Sequence, residues 1–300
     1  MSNLNDRVHR IAAENARIYP NDAGLVDALD AASSFFGQMP ETFRFEFHQN
    51  LTPNKIGKDP GEVFVNLLKN WHGWIGFFVY SVAYKVTHLL DDVSRGLNSS
   101  RYILVAASAR GIVEQVAIFN NYFRQVSELL QDLQAADPGT DFPGYVNKVV
   151  ELIKLLQKYS QATRFNWKSY AAGDLDTFFA SWNQVDDSVR QTNIMTMIDK
   201  LPQEEKGAKF FYEMLCDFVH PNIGSHFLVI DTVDFVAENR AAYTLSRNPT
   251  SDELLGTVLH VISIPLKTSL QLLKSEVESL LHTITMIDDW ISKCEGSPAA

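Results

Sequence analysis

Phe210–His226 reads FFYEMLCDFVHPNIGSH. It is the end of an apolar helix, a His-Pro-Asn turn, and then a second histidine. The remainder of the chain reads as helices arranged to bury this stretch. Immediately upstream, TNIMTMIDKL (192–201) is a short apolar helix and Pro202 to Lys206 a charged turn. Downstream the character changes. FLVIDTVDFV and AAYTLSR are β-branched and aromatic and are joined by AENR, which predicts a small β-hairpin within 227–247.

The rest of the chain is helical by periodicity. Asn5 to Tyr19 places Val8, Ile11 and Ile18 on one side, and Pro20 closes it. Asp22 is expected to cap a second helix over 23–36. Residues 37–60 are irregular, with FRFEFHQ alternating like a short strand and TPNKIGKDPG carrying turn chemistry. Residues 62–97 form one long helix, or two joined near His72-Gly73, with Val63, Leu67, Trp71, Trp74 and Phe78 at helical spacing. Ser99 or Ser100 is expected to cap the next helix, 101–135, which Asp137-Pro138-Gly139 ends. Further helices follow over 145–161 and 175–189. A final helix runs from 252 to about 291, capped by Thr250 or Ser251, with Asp252 and Glu253 where the helix dipole favours them. The fold class is therefore all-α, a helical bundle with a small β-hairpin near the C-terminal third. The expected organisation is a single domain over 1–300: N-terminal helices to 60, a core over 62–226, the hairpin to 247, and a C-terminal helix over 250–293.

Composition sets limits on function. The chain has 300 residues, 46% of them apolar, which is enough for a sizeable core. Its formal charge of -10 argues against general nucleic-acid binding, because a phosphate backbone needs a basic face. Two cysteines, Cys216 and Cys294, form no disulfide framework and no zinc pair, which fits a reducing, cytoplasmic compartment. The most apolar run, WIGFFVYSVAY (74–84), is shorter than the roughly 20 residues of a membrane span and reads as a buried helix. No cofactor is expected, since phosphate-binding glycine loops, a GxSxG elbow, HExxH and calcium-loop patterns are all missing.

One polar constellation stands out. Arg110 and Glu114 lie four apart on an otherwise apolar helix and can pair with each other. Burying either charge alone would cost several kcal/mol, so an outside partner is expected, and His220 is the natural one. The structural reading is that the three lock two helices together. The chemical reading gives a cleft in which His220 and Glu114 act as acid or base and Arg110 holds an anion. Asn222 and His226 sit on the same turn as candidate ligand-binding residues. A metal is not expected there, because His-x5-His across a proline is no zinc pattern. A second candidate set is Arg164, Trp167, Lys168 and Tyr170, where arginine beside aromatics could stack bases and hold phosphates.

LCDFVHPNIGSH, preceded by TNIMTMIDKL and by the helix containing ARGIVEQ, resembles a group of bacterial all-helical proteins distantly similar to the HEPN superfamily. Members of that superfamily are helical bundles of toxin, abortive-infection and RNA-cleaving systems. The likeness spans roughly residues 102–226. It implies a helical-bundle core and a role in defence or stress, exercised by binding or assembly with a protein partner or a second copy. The HEPN ribonuclease signature places an arginine five to seven positions before a histidine on one helix. Before His220 those positions hold Leu215, Met214 and Glu213, so only the histidine matches. Two alternatives are carried with the binding reading. One is a metal-independent ribonuclease with RNA as partner, using His220 and Arg110. The other is a small-ligand or nucleotide sensor with its pocket between the His-Pro-Asn turn and residues 164–170.

Overall fold

The computed structural model describes residues 4–46, 57–135, 140–161, 165, 167–181, 184, 193–201 and 206–296. Among the described residues it contains eleven α-helices and one antiparallel β-hairpin, an all-α fold with a minor sheet.

Helix α1 (Asp6–Ile18) begins where the Asn5 side chain accepts the Val8 N–H, 3.0 Å away. Proline 20 then forces a single 3₁₀ turn, Pro20–Asp22. Asp22 does not cap the next helix as expected. Gly24, at φ 79°, makes the corner into α2 (Leu25–Gly37), and Asp22 turns inward instead. Leu25, Leu29, Ala32 and Phe36 form the buried stripe of α2.

Helix α3 (Pro60–Asn98) is continuous over 39 residues, roughly 58 Å at 1.5 Å per residue. It passes through His72-Gly73 without a break. Asp59 accepts the Glu62 N–H at 2.9 Å, and Glu62 accepts the Lys58 N–H at 2.7 Å, so the helix start satisfies two donors reciprocally. Ahead of it, residues 43–46 are not a strand, and residues 47–49 of the alternating run lie outside the described residues. Phe43 stacks on Tyr80 at 4.2 Å and Phe45 meets Phe77 edge-on at 5.4 Å. A β-carbon on Gly76 would lie 2.5 Å from the Phe43 ring, so glycine there admits the segment. Aromatic burial, rather than strand pairing, accounts for the alternation.

Helix α4 (Tyr102–Ala135) follows a two-serine corner. The Ser99 hydroxyl donates back to the Arg95 carbonyl at 2.6 Å, ending α3. Ser100 takes φ 56°, and its hydroxyl oxygen accepts from Arg7 at 3.2 Å. Both serines thus serve the corner and α3. Over Tyr102–Leu133, α4 is long and apolar enough to cross a membrane, yet 56% of its most apolar window is buried inside the protein. The run at 74–84 is likewise core, with Trp74, Ile75, Phe78, Val79, Val82 and Ala83 buried.

Helices α5 (Phe142–Gln161), α6 (Trp167–Ala171), α7 (Leu175–Ser181) and α8 (Ile194–Asp199) follow. The expected helix over 175–189 is seen in its first turns, and most of 182–190 lies outside the described residues. Then come α9 (Lys206–Val219), α10 (Ile223–Phe227), and strands β1 (Ile230–Ala237) and β2 (Arg240–Leu245). Helix α11 (Asp252–Gly296) closes the chain. Ser251 accepts the Leu254 N–H at 3.2 Å, the cap expected of Thr250 or Ser251, and Pro265 lies inside the helix without ending it.

The chain divides into two compact units. The first comprises Met1–Thr42, Val82–Asn120 and Ile198–Glu276, and its core includes Leu29, Val86, Ile112, Val116, Leu215 and Leu259. The second comprises Phe43–Ser81, Asn121–Met197 and Val277–Ala300. Its core includes Leu68, Trp71 and Leu152, with Tyr159 against Phe78 and Tyr122 at ring distances of 4.5 and 5.2 Å. The Arg110–Glu114 cluster, the His-Pro-Asn turn and the Asp22–His260 dyad belong to the first unit, and residues 164–170 to the second.

Candidate functional site

Helix α4 turns its apolar side, Val105, Ala109, Ile112, Val113 and Val116, fully inward. Arg110 and Glu114 lie on the other side, with side chains 25% and 27% exposed. The Arg110 Nε donates to Glu114 Oε1 at 2.8 Å, as the i,i+4 spacing predicts.

The outside partner is Tyr212, not His220. Tyr212 sits on α9, is 1% exposed, and its hydroxyl donates to the same Glu114 oxygen at 2.8 Å. The Arg110 guanidinium lies 5.9 Å from the Tyr212 ring centre, completing a three-way contact. Burial and the bond to Glu114 push the Tyr212 phenol well up, so it stays a neutral donor. Burial is the largest single influence and works against the Arg110 charge, but the bond and charge of Glu114, with Cys216 and Tyr212, together outweigh it and raise the arginine. Within the cluster one carboxylate oxygen accepts from both a cation and a buried phenol.

His220 is exposed at the end of α9. Its backbone N–H donates to the Cys216 carbonyl at 3.0 Å, and among the described residues no hydrogen bond or ion pair joins its side chain to Arg110 or Glu114. The expected triad is therefore corrected to Arg110–Glu114–Tyr212. Tyr212 and His220 are eight positions apart, about 12 Å along a helix, so one carboxylate cannot reach both.

The His-Pro-Asn turn is built by α9 itself. Asn222 caps α10 by accepting the Ser225 N–H at 3.4 Å, and its amide donates to Asp217 at 2.5 Å. A β-carbon on Gly224 would fall 2.1 Å from the Asp217 carboxylate, so glycine lets α10 fold back on α9. His226 is exposed on α10. Among the described residues no group of three His, Cys, Asp or Glu side chains could hold a metal. Of the second candidate set, Arg164 and the side chains of Trp167 and Lys168 lie outside the described residues. Tyr170 is exposed and meets Phe178 edge-on at 5.3 Å.

Sequence reasoning missed two features. The first is a dyad. Asp22, with a side chain only 3% exposed, faces His260 on α11, with Oδ2 2.9 Å from Nδ1. A buried carboxylate accepts, so it selects the tautomer in which Nδ1 carries the hydrogen. Tyr19 lies against the imidazole at 4.3 Å and Phe211 meets it edge-on at 5.6 Å. His260 lines a cavity of about 480 Å³ between α1 and the start of α11. Asn15 crosses its wall and donates to the Gly256 carbonyl at 2.6 Å. At the rim, Asp252 binds Arg10 at 2.6 Å and Arg7 at 2.8 Å, and those bonds hold its carboxyl below the ordinary range.

The second is a surface. In the hairpin Val233 pairs with Tyr243 and Phe235 with Ala241, which puts these side chains and Leu245 on one face. On that face Phe235 is 86% exposed, Leu245 68% and Tyr243 61%. The acidic Asp234 pairs with Ala242 on the opposite face. Neither feature leaves a local sequence signature: the dyad joins residues 238 apart, and strand alternation does not say which face is covered. No family model, characterised protein or solved structure matches this chain.

Proposed function

We propose that this chain is a HEPN-like helical protein that acts by assembly, with a second copy of itself as partner, in a defence or stress response. The observation that carries the reading is the bare apolar face of the hairpin. A two-stranded sheet is at best marginally stable in water unless its face packs on something. Val233, Phe235, Tyr243 and Leu245 together expose on the order of 500 Å², taking ~150–250 Å² for each large side chain. That is the size of the largest apolar patch on a typical monomer, and such patches are often functional. An exposed apolar patch suits a two-fold contact, in which the same patch meets itself.

The ribonuclease alternative has less support. It needs His220 and Arg110 at one centre, whereas Arg110 is engaged with Glu114 and Tyr212 and His220 stands apart from both.

Sedimentation equilibrium tests the assembly reading. Wild type is expected to dimerise at micromolar concentration, and Phe235→Asp to remain a folded monomer. A wild-type protein that is monomeric throughout that range contradicts the reading. An RNA-cleavage assay run alongside, without added metal, is expected to show no activity that His220→Ala removes.

A further inference from the structure

We propose that the cavity lined by His260 is a binding site for a small organic cation bearing N–H donors, an alkylammonium or alkylguanidinium. The cavity wall carries several acceptors. Asn15 is nine-tenths buried, and its amide nitrogen is committed to the Gly256 carbonyl, which leaves Oδ1 as an unpartnered acceptor on the wall. His260 gives its Nδ1 hydrogen to Asp22, so Nε2 remains as the acceptor of the ring. The Thr257 hydroxyl donates to the Glu253 carbonyl at 3.0 Å, so its hydrogen is not available to a ligand, although its oxygen can still accept.

Charge points the same way. Three carboxylates line the cavity, those of Glu14, Asp252 and Glu253. Arg10 binds Glu14 and Asp252, and Arg7 also binds Asp252. Among the described residues no cation pairs with Glu253, which stands exposed at the mouth. A ligand that fits must therefore bring donors and positive charge. It must also tolerate an apolar floor, supplied by Ile11, and an aromatic flank, supplied by Tyr19. A cation over the Tyr19 ring is favoured by the ring's quadrupole. An anion would meet the carboxylates and two bare acceptors, so the site selects by sign. The role of Asp22 is positioning: it fixes the imidazole tautomer and does not itself line the cavity.

The test uses the full chain, with n-butylguanidinium and n-butylammonium as probes and butyrate and n-butanol as controls. Imidazole ¹H–¹⁵N spectra report His260 directly, assigned with His260→Gln. Saturable shifts of the His260 resonance are expected with either cation and not with butyrate or butanol. Glu253→Gln, at an exposed position, is expected to keep the fold and weaken cation binding roughly fivefold, as loss of a charge-assisted hydrogen bond would. Asp22→Asn is expected to alter the His260 tautomer signature as well as to weaken binding. A merely structural dyad would show the tautomer change without any cation-dependent shift. The proposal is overturned if neither cation shifts His260 at millimolar concentration. It is also overturned if butyrate or butanol shifts it equally, or if Glu253→Gln leaves the affinity unchanged.

Discussion

Two half-buried polar groups in the same unit have opposite characters. In the Arg110–Glu114–Tyr212 cluster, each hydrogen-bonding partner faces another within the cluster. In the Asp22–His260 dyad one imidazole nitrogen is used, and the other belongs to a ring that lines a cavity. A closed network spends its polarity on holding α4 to α9. An open one leaves polarity for a ligand. Closure, more than the presence of charged or titratable side chains, distinguishes a structural cluster from a binding site here.

The largest effect that sharpens this contrast is expected from Arg110→Ala. It leaves Glu114 without its cation, and because a quarter of each side chain meets water, the loss is about 2–3 kcal/mol rather than the larger figure of a fully buried pair. Urea unfolding measures it. Tyr212→Phe removes one bond to a carboxylate and should cost about 1–2 kcal/mol by the same method.

A smaller effect comes from the cavity rim and depends on pH. The folded carboxyl of Asp252 is held low by Arg10 and Arg7. A group depressed in the folded state adds stability above its unfolded value, near 3.9 for aspartate, and loses it as pH falls through the lower folded value. Wild type should therefore lose more stability than Asp252→Asn between about pH 5 and the acid limit of folding. Equal acid sensitivity of the two proteins would show that these surface-exposed bonds do not hold α1 to α11.

Much of the fold was legible because it rests on local signals. Ser251 caps where expected, Pro20 ends α1, and the β-branched run after His226 forms the hairpin. The i,i+4 pairing of Arg110 with Glu114 was legible for the same reason. What failed needed information from other elements. Asp22 was read as a cap because aspartate commonly caps, but the Pro20 turn carries it inward to a histidine 238 positions away. Phe43 and Phe45 alternate like a strand, but α3 offers aromatic rings and a glycine to receive them. The partner of Glu114 was misassigned along α9 by two turns. A histidine near a charged pair drew attention, while Tyr212 lay in an aromatic run that reads as core. Its hydroxyl was the signal: a buried tyrosine needs an acceptor, and Glu114 is that acceptor.

The most direct measurement is a pair of double-mutant cycles by urea unfolding, Glu114→Gln with Tyr212→Phe and Glu114→Gln with His220→Ala. Coupling of about 1 kcal/mol is expected in the first cycle, and additivity within about 0.5 kcal/mol in the second. Additivity in the first cycle together with coupling in the second would contradict the closed cluster and return His220 to the centre of the site.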